Sequence, residues 1–330
     1  MSRRHPHDAA RRYIGFAPDF PVWEKQETRS EHVLTISESQ TGAISPRRPL
    51  ALWLAAALLA LLAMLAAPRA HAQTPAPLAE WQYSVGVPLE KLYEEGPPPE
   101  WTVRLGLAAR VSPYYDGTGN YYPIAGPAID IRYRDQGFLS TGEGLGWNIV
   151  HSDHWRAGIA LTYDFGRREK HDHDHLAGLG NIGMAVESKL FAEYVVSKEF
   201  PLVVRANARR QFGGANGWLG DLGAYMPLPG SSDKFAWFAG PTVTLADSAY
   251  MSRWYGVTAE QSARSGLPEH HAGGGIRSYG GGVSAMWFFG KHWFATADFG
   301  IAALVGDARS SPVTSHSANM TGDVSIMYEF

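Results

Sequence analysis

The sequence predicts an all-β chain, an antiparallel transmembrane β-barrel of about twelve strands, preceded by a signal peptide. Three observations predict it. A single uncharged apolar run, residues 50–67, stands near the front of a chain that is otherwise polar and apolar by turns. Beyond residue 100, apolar and polar residues alternate with the period of 2 that belongs to strands, and the alternation returns again and again. Charged residues fall in the middle of the polar faces, where a barrel with a polar lumen puts them and a soluble sandwich has less reason to.

Composition bounds the alternatives. With 45% hydrophobic and 18% charged residues the average position resembles that of a soluble protein, so a bundle of membrane helices, which needs repeated apolar stretches of roughly 20 residues, is excluded. There is no cysteine, which removes disulfide scaffolds and thiolate metal sites and suits an oxidising compartment. The 29 Lys and Arg against 32 Asp and Glu leave no basic surface for nucleic acid.

Taken from the front, residues 1–46 have no place in an export signal and are read as an N-terminal extension from a misplaced start, with Val33 and Leu34 as candidate non-AUG starts. Residues 47–72 carry the three parts of a signal peptide. Arg47 and Arg48 form the positive region, 50–67 the apolar core, and Ala70-His71-Ala72 the small residues before a cleavage site. An uncleaved inner-membrane anchor is the alternative. Cleavage after Ala72 would leave Gln73 first and make the exported part mildly acidic. Residues 73–100 are Pro-rich, with Pro97-Pro98-Pro99 as a stiff spacer and 81–87 as a possible short first strand.

Residues 101–330 then form the barrel. Trp101, Val103, Leu105, Leu107, Ala109 and Val111 alternate with Thr102, Arg104, Gly106, Ala108 and Arg110. Trp155, Ala157, Ile159, Leu161, Tyr163 and Phe165 oppose Arg156, Gly158, Ala160, Thr162 and Asp164, and Val204, Ala206 and Ala208 oppose Arg205, Asn207 and Arg209. Near the end, Trp293, Ala295, Ala297, Phe299 and Ile301 oppose Thr296, Asp298 and Gly300. Arg104, Arg132, Arg156, Lys189, Glu193, Arg205, Arg209 and Asp298 are therefore expected to face the lumen, with aromatics at the ends of the lipid-facing band. The segments 101–111, 126–134, 138–150, 154–165, 186–197, 200–211, 216–228, 234–247, 276–289, 292–305 and 318–330 read as eleven strands. Bacterial single-chain barrels have an even number. With 81–87 added the count is twelve, and ten is the next choice; the long loops at 166–184, 248–274 and 306–317 then all lie outside.

Met320, Val324, Ile326, Tyr328 and Phe330 form one apolar face ending in an aromatic. A last strand that closes a barrel and ends in Phe330 resembles the signal read by the barrel-assembly machinery of the outer membrane, so that machinery and the lipid bilayer are expected partners.

The residues also resemble a known family. Val111-Ser112-Pro113-Tyr114-Tyr115-Asp116-Gly117, Ile129-Asp130-Ile131-Arg132-Tyr133, Gly144-Leu145-Gly146-Trp147-Asn148, Gly178-Leu179-Gly180-Asn181-Ile182 and Leu190-Phe191-Ala192-Glu193-Tyr194 are similar to stretches of the MipA/OmpV family of outer-membrane proteins. So is the loop from Ala246-Asp247-Ser248 through Tyr255-Gly256-Val257-Thr258 to Ser265-Gly266-Leu267-Pro268. The resemblance implies an outer-membrane location and a scaffold that links murein-remodelling enzymes, a lytic transglycosylase and a murein synthase. A passive porin-like channel and a surface adhesin or antigen are the alternative roles.

No catalytic, cofactor or metal residue is expected. His171-Asp172-His173-Asp174-His175 has ligand chemistry for Zn²⁺ or Cu²⁺ but is read as a solvated loop. His151-Ser152-Asp153-His154 has the residue types of a triad, which adjacent positions cannot assemble, and is read as a periplasmic turn. Gly273-Gly274-Gly275 and Gly280-Gly281-Gly282 are read as bends or close packing rather than phosphate loops. Tyr114, Tyr115, Tyr121 and Tyr122 are read as interfacial anchors.

Overall fold

A computed structural model describes residues 99–330 apart from 233 and 291. The signal peptide, the residues before it and the possible strand at 81–87 lie outside the described residues. Twelve antiparallel strands form one closed ring in sequence order, in which β1 (Trp101–Pro113) returns to pair with β12 (Ala318–Glu329). Between them run β2 (Tyr121–Tyr133), β3 (Gly137–Ser140), β4 (Gly144–His151), β5 (Trp155–Asp164), β6 (Ala185–Val195) and β7 (Val203–Gly213). The ring continues through β8 (Trp218–Pro227), β9 (Phe235–Ala246), β10 (Gly275–Phe289) and β11 (Trp293–Leu304). Closure matters because an open edge in lipid leaves backbone groups without partners. The seam runs in unbroken register from Arg104↔Glu329 to Val111↔Gly322.

The expected faces are the observed ones. All eight mid-strand charged positions point into the lumen, and Arg132, Arg156, Lys189, Glu193, Arg205, Arg209 and Asp298 are buried there. Leu107, Ile159, Leu190, Leu222, Phe299 and Val324 stand exposed on the outside. In a soluble protein such a surface would be a liability; in lipid it is the solvated face. Aromatic pairs mark the inner end of the band: Trp101 with Tyr133, Trp155 with Tyr194, and Trp293 with Tyr328. Tyr121, Phe212, Trp218 and Tyr279 stand exposed toward the other end.

One strand expectation is corrected. The single strand expected over 138–150 is two, β3 and β4, joined by Thr141-Gly142-Glu143, so twelve is reached within the described residues. Alternation of small and apolar residues runs through both and hides the turn. The reversal depends on Gly144, which sits at φ +87°, and on the Ser140 hydroxyl, which accepts from the N–H groups of Gly142 and Glu143. The short turns 152–154 and 196–202 share one rim with the start of β1, and the long loops share the other, as expected.

The long loops are not simply polar. They contain α1 (His173–Leu176), α2 (Ser248–Tyr255), α3 (Ala259–Ser265) and α4 (Gly306–Ser310). Asp247 caps α2 by accepting from Tyr250 N–H, and Thr258 with Gln261 forms a capping box on α3. Tyr250, Met251, Trp254 and Tyr255 of α2 are buried with Tyr115, Leu176, Leu179, Leu304, Ala308 and Val313. This is the largest apolar cluster among the described residues, and it sits across the outer mouth rather than in the wall.

Candidate functional site

Paired charges cross the lumen. Glu143 projects from the β3–β4 turn and is 1% exposed. Arg132 donates to its Oε2 at 2.7 Å, Arg156 to its Oε1 at 2.9 Å, and Lys189 Nζ to its backbone carbonyl at 3.1 Å. Arg156 continues to Glu193 at 3.1 Å, and Arg205 lies 3.3 Å from the other oxygen of Glu193. The Arg156 guanidinium also lies over the rings of Phe138 and Phe191, 4.9 and 5.0 Å from their centroids. Further round, Arg209 donates to Asp221 at 2.7 Å and Thr244 to the second Asp221 oxygen at 2.7 Å. Charges this deep are tolerable only when paired. The alternation down each strand delivers them to one face, and opposite signs on neighbouring strands, such as Glu193↔Arg205, then meet by register.

A second network ties the outer loops together. Asp172 is buried and accepts from the Thr118 hydroxyl at 2.6 Å and the Tyr115 hydroxyl at 3.0 Å, with His175 Nδ1 at 2.9 Å. Burial opposes its charge, but the hydrogen bonds from Thr118, His175 and Tyr115 outweigh that and hold its carboxyl below the usual range. Burial, reinforced by Asp172, pushes the Tyr115 hydroxyl well up. Arg167 is buried under the cap and donates to the Trp254 carbonyl at 2.5 Å, with its guanidinium over the Tyr115 and Trp254 rings. Burial lowers its pKa to about 10. Arg277 pairs with Asp116 at 3.0 Å, and Asn319 holds Gly117 and Thr118, so the cap is tied to the wall.

The residues singled out from sequence are placed as follows. The His171–His175 run is not a solvated loop throughout: Asp172 is buried and His171 stacks on Tyr114 at 4.5 Å, because the run packs onto the β1–β2 loop. Among the described residues no three His, Asp or Glu side chains are grouped as a metal would need. In the 151–154 turn, His154 Nδ1 contacts the Val195 carbonyl at 2.8 Å and Ser152 accepts from Trp155 N–H. Those contacts are structural. Of the four tyrosines only Tyr121 is an exposed, outward ring; Tyr115 and Tyr122 are buried and Tyr114 stacks between Tyr122 and His171. Their ring faces and the Tyr115 hydroxyl find partners in the cap, which corrects the reading of the group as membrane anchors. Gly280 lies close to Ile301 O and Thr242 Oγ1, so a side chain there has no room. The apolar residues of α2 recur at helical spacing inside a segment expected as a loop, and the sequence signal for the helix is Asp247 as its N-cap.

A family profile described as MltA-interacting protein MipA matches residues 105–330. No curated protein gives a significant match. Among solved structures the chain is similar to OmpT, an outer membrane protein of Vibrio cholerae, with 9% identity over 70% of this chain and 96% of that one and a TM-score of 0.31. It is also similar to the Ralstonia pickettii toluene transporter TbuX, with 10% identity, 77% and 93% covered and a TM-score of 0.31. A Pseudomonas aeruginosa FadL homologue gives 9% identity, 78% and 99% covered and a TM-score of 0.28. These superpositions are loose, and nothing about ligand or transport follows from them.

Proposed function

Because the chain belongs to the MipA family of MltA-interacting proteins and is an outer-membrane β-barrel, we propose that it is a non-enzymatic scaffold that holds murein-remodelling enzymes at the inner face of that membrane. The first partner on this reading is a lytic transglycosylase, as the family description suggests, and the second a murein synthase. The signal peptide at 47–72 supplies the route of export, and cleavage after Ala72 leaves the Pro-rich residues 73–100 ahead of the barrel.

The observation that supports the reading best is that ion pairs cross the lumen and an apolar cluster of loop residues lies at its outer end. Glu143, Arg132, Arg156, Glu193 and Arg205 cross-link in the interior, and α2 packs in the outer cluster. A barrel cross-linked in this way favours a role carried by its surfaces over one carried by a conduit. The inner rim, which includes the turns at 134–136, 152–154 and 196–202, is the surface a periplasmic enzyme would meet.

The test is co-purification. The tagged barrel is extracted in mild detergent and mixed with a purified lytic transglycosylase, and co-elution is expected, weakened by substitutions in the inner turns and not by substitutions in α2 or α3. Recovery of neither murein hydrolase nor murein synthase, from extracts or from purified components, would overturn the proposal.

A further inference from the structure

The barrel wall is complete only over its inner half. β2 pairs with β1 along its full length, from Trp101↔Tyr133 to Pro113↔Tyr121, but with β3 only from Asp130↔Ser140 to Tyr133↔Gly137. Thr141 adds one step: its N–H donates to Ile129 O, and its hydroxyl accepts from Ile129 N–H, both at 2.9 Å. On the other side β4 accompanies β5 only as far as Leu145↔Leu161. Among the described residues the ladder on this side of β2 therefore stops at Ile129, and the stretch 121–128 runs on beyond it for roughly 24 Å at about 3.4 Å per residue. The opening is framed. β2 forms one side, Leu161 and Tyr163 at the end of β5 the other, the 141–143 turn the sill, and the contact of Tyr115 and Thr118 with Asp172 the lintel.

The edge is built to refuse another strand. Ile129 turns its backbone N–H and C=O to Thr141, so by the strand period Tyr121, Pro123, Ala125 and Pro127 turn theirs to the same open side. Two of these four are prolines with no N–H to give, the device by which edge strands resist pairing. The side chains agree with an apolar occupant. Pro123, Ala125 and Pro127 are exposed on the lipid side. On the lumen side Ile124, Gly126 and Ala128 replace the charges that the same face carries lower down, Asp130 and Arg132. Gly126 faces open space: a Cβ there would meet nothing within 4 Å. Tyr121, exposed at the top of the edge, is one of the aromatics at the outer end of the lipid-facing band, so the opening lies at the depth of outer-leaflet acyl chains and is continuous with the surface they already cover.

We propose that this window is a lateral binding site for one acyl chain of an outer-leaflet lipid, which leans out of the bilayer between β2 and β5 and packs beside Gly126. Backbone groups left without a strand partner are tolerable there because two are deleted by proline, and the chain fills space that would otherwise be void. The inference is independent of the scaffold reading.

The full-length protein is reconstituted in phosphatidylethanolamine vesicles doped with a phospholipid carrying a diazirine near the end of one acyl chain, irradiated, digested and mapped by mass spectrometry. Label is expected on Ile124 and Gly126 at about tenfold or more above the lumen-facing control Asn207 and Arg209 on β7, the ratio a modest binding preference gives. Gly126→Phe, which grows into free space, is expected to reduce that label to the control level while leaving outward Leu222 and Phe299 labelled as before. Label confined to outward residues in the wild-type protein, with positions 124 and 126 at the control level, overturns the proposal. So does undiminished lumen-side label in a folded Gly126→Phe protein.

Discussion

The Glu143 carboxylate, carried on the turn between β3 and β4, accepts from the Arg156 guanidinium of β5 at 2.9 Å, with both side chains about 1% exposed. This contact makes a short hairpin part of the interior. Without it β3 and β4 would be a weak stretch of wall, since β3 has only four residues to pair on either side.

Removing the carboxylate leaves Arg132 and Arg156 short of their shared partner. Breaking one side of a buried ion pair costs about 3–5 kcal/mol. Glu143→Ala is expected to lower the unfolding free energy of the vesicle-refolded barrel by an amount of that order, read as a lower urea midpoint, and Glu143→Gln by less. An unchanged midpoint would falsify the account of the lumen given above.

The cap should respond to acid. The Asp172 carboxyl is held below its unfolded value, so it contributes stability that is present above that value, about pH 4, and lost as pH falls through the folded one. Hydrogen exchange at residues 114–120 and 169–182 is expected to quicken in that range while the strands stay protected. Asp172→Asn should flatten the acid response and cost about 1–3 kcal/mol at neutral pH through the bonds it weakens.

The seam between β1 and β12 has no room at Gly106, where a Cβ would run into the backbone carbonyl of Ile326. Gly106→Val is expected to reduce the folded, heat-modifiable fraction sharply. Gly126→Val, facing open space one strand away, should leave it intact. Equal behaviour of the two variants on semi-native gels counts against the geometry of the seam.

Restoring donors to the open edge should make it adhesive. Pro123→Ala with Pro127→Ala returns two N–H groups to the unpaired side of β2 and is expected to give crosslinkable dimers or higher species in detergent where the wild type gives fewer. A monomer unchanged by both substitutions would show that the prolines do not guard the edge.

The ion pairs across the lumen predict electrical silence. Wild-type protein in planar bilayers is expected to give no regular conductance steps at neutral pH. Steps of uniform size from the wild type would mean that the Glu143 and Glu193 network does not close the interior.

Much of the wall was legible because lipid and lumen impose opposite chemistry on successive residues. The alternation of Trp155, Ala157, Ile159 and Leu161 with Arg156, Gly158 and Ala160 can be satisfied by one strand orientation alone. The β3–β4 division was not legible, since Thr141-Gly142-Glu143 interrupts the alternation no more than a strand glycine does. The interior and cap were hidden for another reason. Asp172 is buried by Tyr115 and Thr118, more than fifty residues away in sequence, and Arg132 finds Glu143 by the curvature of a closed sheet. Local pattern tells which way a side chain points; only the ring tells what it meets there.

The cap is drawn from four connections widely spaced along the chain, at 114–120, 165–184, 247–274 and 305–317, interlocked by Asp172, Arg277 and Asn319. An antibody or phage arriving from the medium therefore meets a discontinuous epitope. Peptides copied from any one connection should fail to raise sera against intact cells, whereas folded barrel should succeed.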